Sequence, residues 1–223
     1  MSGTEIEDTL AGAIWPRRGE AVDKASEPSL VDSGSRLMRD AALCLAGVTL
    51  LTLTAKISVP YLPVPMTLQS FAVLSLGAAY GVRLSAISVI AYLVCGMGGL
   101  PVFTGTPPLI AGPAYLLGPT GGFLVGFIPA AMFMGLIAEA KLDRSFSATL
   151  PSTLFAAAII LACGFLWLAF AARMGAGRHG LGAPAAWSKG VVPFLLGDTI
   201  KAALTAALFP AIWSLIGARP PRE

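Results

Sequence analysis

Charged residues are scarce in this chain: they make up 12% of its 223 residues, whereas 56% are hydrophobic, and the mean hydropathy is +0.77. Soluble domains carry about twice that share of charge. We therefore expect an all-α, polytopic membrane protein. The net charge of +3 is small, and most basic residues flank apolar runs. That distribution is typical of membrane topology signals, so we expect no nucleic-acid partner.

Histidine and cysteine are nearly absent, which excludes several kinds of site. The single histidine, His179, lies in a loop rich in Gly and Arg, so a histidine dyad within the membrane is excluded. Cys44, Cys95 and Cys163 each lie alone in an apolar run, with no CxxC and no Cys/His cluster. We interpret them as small buried hydrophobic residues, and we expect no metal site, no disulfide and no bound cofactor.

Catalytic motifs are missing as well. The sequence contains no GxSxG, no HExxH, no paired Asp residues within an apolar run and no P-loop, so this chain does not hydrolyse ATP itself. Lys201 could in principle act as a general base toward a serine. No motif supports that chemistry, and we expect that the protein is not an enzyme.

Acidic residues are concentrated at the N-terminus. Seven of the chain's twelve lie within residues 1–35: Glu5, Glu7, Asp8, Glu20, Asp23, Glu27 and Asp32. With interspersed Gly, Pro and Ser, this stretch cannot bury a core, and it has no basic region leading into a short apolar run as a signal peptide would. We predict a mobile cytoplasmic tail over residues 1–35 and a transmembrane domain over residues 36–219.

Six apolar runs follow the tail, and we predict one transmembrane helix in each. They cover about 41–59, 66–81, 83–98, 119–139, 150–172 and 191–217. The second and third runs are shorter than the roughly 20 residues of a simple span. Short runs imply tilted helices or backbone that lines an enclosed cavity.

Basic residues predict the orientation of this six-helix bundle. Six spans place both termini on one side, where seven basic residues lie beside the membrane, against three on the other side. The positive-inside rule then makes both termini cytoplasmic. In that orientation the proline-rich loop 60–65, the apolar loop 99–119 and the start of the last span all lie outward. We predict a ligand pocket that opens to the outside, with loop 99–119 folded back over the helices as a plug or lid.

The last apolar run contains an acid and a base, Asp198 and Lys201. Three positions apart, they share one face of a helix. Ionisable groups inside a membrane are costly and usually functional, so the pair is our best candidate for a ligand site. It offers a strong acceptor beside a strong donor, and its apolar surroundings favour a small amphiphile. The alternative is a salt bridge that only ties helices together in a scaffold subunit.

Three further residues are weaker candidates for ligand contacts: Gln69, Tyr92 and Thr104. Each has an alternative role. Gln69 could cap the short second span, Tyr92 could be an interfacial aromatic, and Thr104 could make a turn.

The first apolar run carries a candidate docking surface. Ala42-x-x-x-Ala46 has the small-xxx-small spacing that permits close approach of another helix. Lys56, near the far end of the same run, could snorkel to the interface or enter a site.

Four segments carry a resemblance to a known family. They are AKISVPYLPVPMTLQ at 55–69, GGLPVFTG at 98–105, LGPTGGFLVGF at 117–127 and FLLGDTIKAAL at 194–204. In this order the chain resembles the BioY family, the biotin-binding S components of energy-coupling-factor (ECF) transporters. The resemblance covers some 150 residues and leaves out residues 1–35 and 173–190.

The resemblance implies a six-helix bundle in the bacterial inner membrane that captures biotin from outside with high affinity. Its ligands would be Asp198 and Lys201 of the last helix. Biotin has a fused ring with a ureido group and an apolar chain that ends in a carboxylate. Our hypothesis is that Asp198 accepts from a ureido N–H and Lys201 donates to the ureido oxygen. The opposite arrangement, with Lys201 on the carboxylate, stays open.

The resemblance also implies partners. In ECF transporters the first helix of the capture subunit docks through an alanine-spaced face on a transmembrane coupling subunit, which two ATPase subunits drive; here that face is Ala42 and Ala46. The resemblance also allows a second mode, in which a family member acts without this module as an oligomer, so both modes stay open. The alternative within transport is capture of another vitamin or small amphiphile.

Overall fold

The computed structural model describes residues 9–15, 30–106, 108–109, 111–174 and 177–216. Helices dominate these residues: α1 (Leu10–Ile14), α2 (Leu30–Lys56), α3 (Gln69–Met97), α4 (Pro113–Leu117), α5 (Gly121–Glu139), α6 (Phe146–Phe170), α7 (Ala183–Gly190) and α8 (Val192–Ile216). A 3₁₀ turn at Leu142–Arg144 links α5 to α6. Two short antiparallel hairpins complete the description, β1 (Ser58–Val59) with β2 (Met66–Thr67) and β3 (Arg173–Met174) with β4 (Arg178–His179).

Five helices of the described chain are long and apolar enough to cross a membrane. They are Gly34–Lys56 within α2, Gln69–Met97, Gly121–Glu139, Phe146–Phe170 and Val192–Ile216. Their mean hydropathies run from 1.5 to 2.3, so the prediction of a mostly helical, multi-pass membrane protein is confirmed. The count differs from six because the helices predicted at 66–81 and 83–98 belong to one element, α3.

Helix α3 is broken at Gly81, where φ is 77° and ψ is −179°. Glycine adopts this conformation without the steric cost that other residues meet. Across the break, the side-chain amide of Gln69 lies 2.7 Å from the hydroxyl of Tyr92. A continuous helix would hold residues 23 positions apart at a separation of about 35 Å. The chain therefore doubles back at Gly81 into two arms.

The corner at Gly81 is held by the end of α5. The carboxylate of Glu139 accepts a 2.7 Å hydrogen bond from the backbone N–H of Val82, a donor that the break leaves without a helical partner. Gly135 makes the close approach possible, since a Cβ on this residue would lie 2.4 Å from the nitrogen of Val82. The two arms of α3 thus pack as a hairpin against α5.

The short helix α1 is docked onto the bundle through Arg39 of α2. The guanidinium of Arg39, which is 4% exposed, donates to the carbonyl oxygens of Trp15 at 2.8 Å and Ala11 at 2.9 Å. Trp15 is the residue that caps α1, and the carbonyls at a helix end lack donors from a following turn. Leu10 is buried in the same contact.

This packing departs from the prediction of a mobile tail over residues 1–35. Within that range, residues 9–15 are packed, and α2 begins at Leu30 rather than near residue 41. The physical reason is a tertiary contact, because the buried guanidinium of Arg39 binds backbone carbonyls of residues that precede the first apolar run. The remaining parts of the predicted tail, residues 1–8 and 16–29, lie outside the described residues.

Candidate functional site

A cavity lies between α3, α5, α6 and α8. Its empty space, with the solvent at the mouth included, is about 520 Å³. The polar part of its lining includes Thr67, Gln69, Ser70, Thr104, Asp198 and Lys201. The apolar part includes Phe103, Phe123, Phe127 and Phe194. An aromatic wall with a few converging polar groups suits a small amphiphile.

The acid–base pair of α8 lies at this cavity and is tied to α3. Oδ1 of Asp198 accepts from Nζ of Lys201 at 3.0 Å and from Oγ of Ser70 at 2.8 Å. Asp198 is 6% exposed, so its charge depends on these partners rather than on water. Sequence reasoning missed Ser70. Nothing in the local pattern marks it, and only the packing of α3 against α8 turns it toward the aspartate.

The pair offers a ligand an acceptor rather than a free donor. The ammonium of Lys201 has three N–H groups, and it meets three acceptors: the carbonyl oxygen of Thr67 at 2.7 Å, Oδ1 of Asp198 at 3.0 Å and Oγ of Ser70 at 3.2 Å. Oδ2 of Asp198, by contrast, receives no hydrogen bond from any residue that the structure describes. A ligand N–H can bond Oδ2 directly, whereas a ligand oxygen reaches Lys201 only by replacing one of its acceptors.

Gln69 and Tyr92 form a linked unit beside the pair. Gln69 lines the cavity, and its Nε2 donates to the hydroxyl of Tyr92 at 2.7 Å. Tyr92 is fully buried, donates in turn to the carbonyl oxygen of Val102 at 3.3 Å, and does not line the cavity. Tyr92 therefore stands behind Gln69, where it fixes the orientation of the amide.

Thr104 lines the cavity from the apolar loop between α3 and α4. Its hydroxyl donates to the carbonyl oxygen of Ala55 at 3.0 Å, and its own carbonyl accepts from the hydroxyl of Tyr115 at 2.9 Å. Burial raises the pKa of Tyr115, so the phenol stays protonated as a donor. The ring of Tyr115 stacks on Phe103 with centroids 4.7 Å apart. The loop is thereby folded onto the bundle.

A larger cavity adjoins the first one. Its space is about 1550 Å³, open solvent included, and it is lined by the proline-rich loop after β1 and by Lys189 of α7. Pro65, Thr104, Tyr115 and Thr120 line both cavities and form the neck between them. We refer to the larger space as the vestibule.

The predicted site residues thus fall into three groups. Asp198, Lys201, Gln69 and Thr104 line one cavity, and Tyr92 lies behind it. The docking candidates Ala42 and Ala46 lie elsewhere, exposed on one face of α2. Among the residues that the structure describes, no group of three or more His, Cys, Asp or Glu side chains could hold a metal ion.

Comparison with known proteins identifies the family. The BioY family model matches residues 24–218. This chain belongs to the BioY family. The resemblance read from the four sequence segments is therefore confirmed, and the family is one of membrane transport proteins rather than of enzymes.

Individual members of the family agree with the match. The biotin transporter BioY of Thermotoga maritima is 38% identical over 168 residues, which cover 74% of this chain and 92% of that protein. The biotin transporter BioY of Rhizobium etli is 34% identical over 171 residues, 77% of this chain and 89% of that protein.

A solved structure of similar fold is the S component for biotin from an ECF-type ABC transporter. It superposes with a TM-score of 0.64 at 25% sequence identity, covering 83% of this chain and 94% of that chain. The helical arrangement of the present chain is therefore the one found in that S component.

Proposed function

We propose that this protein takes up biotin by binding it in the cavity around Asp198 and Lys201 and delivering it across the membrane. The observation that carries the proposal is the buried, charge-compensated aspartate whose Oδ2 remains open to a ligand N–H. Biotin fits because its ureido group supplies N–H donors and its ring system is apolar. The names of the related transporters support the same ligand.

The binding mode follows from the hydrogen bonds at the pair. A ureido N–H donates to Oδ2 of Asp198, a charge-assisted bond in a site sheltered from water. Lys201 supplies a counter-charge to the aspartate at 3.0 Å and gives one donor to a ligand oxygen in place of the Thr67 carbonyl. Phe123 and Phe194, stacked with centroids 5.8 Å apart, form an apolar wall for the ring system.

A ligand panel tests this function. Purified protein is titrated with biotin, thiamine, riboflavin and a fatty acid of similar length by calorimetry. We expect biotin to bind and the other compounds to fail. Tighter binding of another compound would favour the alternative, a capture subunit for a different vitamin or amphiphile. If the protein bound none of them but still pulled down a coupling subunit, the scaffold role would replace capture.

Six membrane crossings follow if each arm of α3 crosses separately. At 1.5 Å per residue the arms, residues 69–80 and 82–97, extend about 18 Å and 24 Å, both short of the roughly 30 Å hydrocarbon core. Packing against α5 lets such short helices cross with local thinning of the bilayer. The bundle then lies in the bacterial inner membrane with both termini cytoplasmic and the vestibule facing outward.

Thiol labelling in intact cells tests this topology. Cys44, Cys95 and Cys163 are first replaced by alanine, and single cysteines are introduced at Lys189 and Ser147. A membrane-impermeant maleimide should label Lys189→Cys from outside and Ser147→Cys only after the cells are opened. The reverse pattern would invert the orientation, and labelling of both positions from outside would contradict six crossings.

The exposed face of α2 is the proposed docking surface for an ECF coupling subunit that carries two ATPase subunits. Small side chains at Ala42 and Ala46 let another helix approach closely, and neighbouring Leu45 is 69% exposed. Self-association through the same face is the other mode. Helix α6 offers a matched control, since Ala158 and Ala162 have the same spacing and are also exposed.

Uptake assays separate these possibilities. Ala46→Phe should abolish biotin uptake while biotin binding stays unchanged, and Ala162→Phe should leave both unchanged. Uptake is measured in cells with and without the ATPase module. Uptake that persists without the module would show that the protein acts alone, and equal effects of the two substitutions would remove the docking role from this face of α2.

A further inference from the structure

Lys56, the last residue of α2, binds the loop between α3 and α4 through its ammonium. Nζ donates to the carbonyl oxygens of Pro101 and Phe103, each at 2.7 Å, and to the carbonyl oxygen of Thr106. Oγ1 of Thr106 lies 3.3 Å from the same nitrogen. Three N–H donors thus meet three carbonyls that come from a stretch of six residues.

The convergence of these carbonyls requires a cation. Each carbonyl presents the negative end of its dipole to the same point, and without a positive charge there the three would repel one another. Backbone carbonyls arranged in this way coordinate monovalent cations in channel filters. The sequence from 99 to 119 contains no charged residue, so the loop depends on α2 for this charge.

The same loop forms part of the ligand cavity. Phe103 is fully buried, with its ring edge-on to Tyr92 at 5.5 Å and stacked on Tyr115 at 4.7 Å. Its neighbour Thr104 lies at the neck between the inner cavity and the vestibule. The two carbonyls on either side of Thr104, those of Phe103 and Thr106, are among the ones that Lys56 binds. Lys56 does not line the cavity itself, but it fixes the position of the cavity wall that Phe103 and Thr104 form.

We propose that Lys56 is a positioning residue for the ligand. Its side chain is exposed, and its ammonium holds residues 101–106 against the bundle through three backbone carbonyls; through Phe103 and Thr104 it sets how fast the ligand enters and leaves. The proposal rests on the proposed function for the identity of the ligand, biotin. A lysine that served only to stabilise the bundle would not control the dissociation rate, which separates the two roles.

The test uses full-length protein in detergent or nanodiscs. Lys56→Ala removes the ammonium and leaves room for a small amine, and Lys56→Arg keeps the charge. Arg173→Ala is the control, because it removes an exposed cation from a hairpin outside both cavities. Biotin dissociation should be about tenfold faster in Lys56→Ala, the loss expected for a hydrogen bond to a charged group, and near the wild-type rate in Lys56→Arg and Arg173→Ala.

Chemical rescue shows whether the missing ammonium itself causes the change in the dissociation rate. Propylammonium should slow biotin dissociation from Lys56→Ala toward the wild-type rate, whereas propanol, its neutral counterpart, should have no effect. In ligand-free protein, the hydrogen-bonded amides of Val102 and Thr106 should exchange faster in Lys56→Ala and recover protection with propylammonium. This second readout does not depend on biotin, so it tests Lys56 even if the wild type binds a different ligand.

Dissociation from Lys56→Ala at the wild-type rate would overturn the proposal, as would loop exchange that propylammonium leaves unchanged. If Lys56→Ala does not fold, Lys56→Met, which keeps the aliphatic stem and removes the ammonium, replaces it. Faster exchange and faster dissociation in Lys56→Met support the positioning role, and wild-type values for both overturn it.

Discussion

Two buried aspartates lie at opposite ends of helix α8, and their negative charges are balanced in different ways. Asp198, near the start of the helix, shares Oδ1 between Lys201 and Ser70 and leaves Oδ2 at a cavity. Asp143, in the 3₁₀ turn before α6, is fully buried and accepts from the indole N–H of Trp213 near the end of α8 at 2.6 Å.

Among the residues that the structure describes, no lysine ammonium forms an ion pair with Asp143. Its Oδ1 receives no hydrogen bond from the described residues. The guanidinium of Arg144 lies over the ring of Trp213, 4.3 Å from its centre. Burial raises the pKa of Asp143 to about 6 despite the indole and the neighbouring arginine. This carboxyl group binds the 3₁₀ turn to α8, and it lines neither the ligand cavity nor the vestibule.

The comparison of Asp198 with Asp143 shows which feature marks a binding site. Burial of a carboxylate is common to both ends of α8, so burial alone does not identify the site. What distinguishes Asp198 is a full charge partner combined with an oxygen left open at a cavity. Lys201 balances the charge of the acceptor, and the open oxygen makes the acceptor available to a ligand.

The largest effect should come from Asp198→Asn. The substitution replaces a charged acceptor and leaves the ammonium of Lys201 without its counter-charge, so biotin affinity should fall by roughly 100-fold to 1000-fold. Asp143→Asn is the matched control and should change affinity by no more than about twofold. Calorimetric titration measures both. Equal losses in the two variants would erase the distinction between the two ends of α8.

Asp143 should instead make the free energy of unfolding depend on pH. Because its folded-state pKa is raised from 3.8 to about 6, protonation stabilises the folded state fully below about pH 4, and this stabilisation is lost as the pH rises through 6. The loss amounts to up to about 3 kcal/mol. Thermal unfolding of the wild type and of Asp143→Asn should therefore differ in slope between pH 4 and 6. Parallel curves would show that Asp143 does not titrate in this window.

The smallest effect should come from Ser70→Ala. Loss of the hydroxyl removes one hydrogen bond to Asp198 and one acceptor of Lys201, worth about 1 kcal/mol, so biotin affinity should fall by about fivefold. Ser88→Ala is the control, because the hydroxyl of this buried serine on the same helix bonds only the carbonyl of Leu84. An unchanged affinity in Ser70→Ala would remove the serine from the site.

Much of the fold could be predicted from sequence because apolar runs and their breaks are local signals. The short runs at 66–81 and 83–98 correspond to the two arms of α3, and the break between them falls at Gly81. The docking of α1 could not be predicted, since it depends on hydrogen bonds from Arg39 to residues 24 and 28 positions earlier in the chain.

The site divides in the same way. Asp198 and Lys201 stand out because charges are rare in an apolar helix, and local spacing places them on one face. Ser70 and the carbonyls bound by Lys56 carry no such signal, because serines and backbone groups occur everywhere and only tertiary packing selects these particular ones. The role of Tyr92 behind Gln69 likewise requires the reversal of α3.

The most direct test of the account is a cycle of ligand and protein changes at Oδ2 of Asp198. Dissociation constants are measured for biotin and for its two analogues methylated at one ureido nitrogen, with the wild type and with Asp198→Asn. We predict that one of the two methylations costs about 100-fold in the wild type and little in the variant, because each change removes the same hydrogen bond. If each methylation lowers the affinity of the wild type and of Asp198→Asn by the same factor, Asp198 does not hold the ureido group.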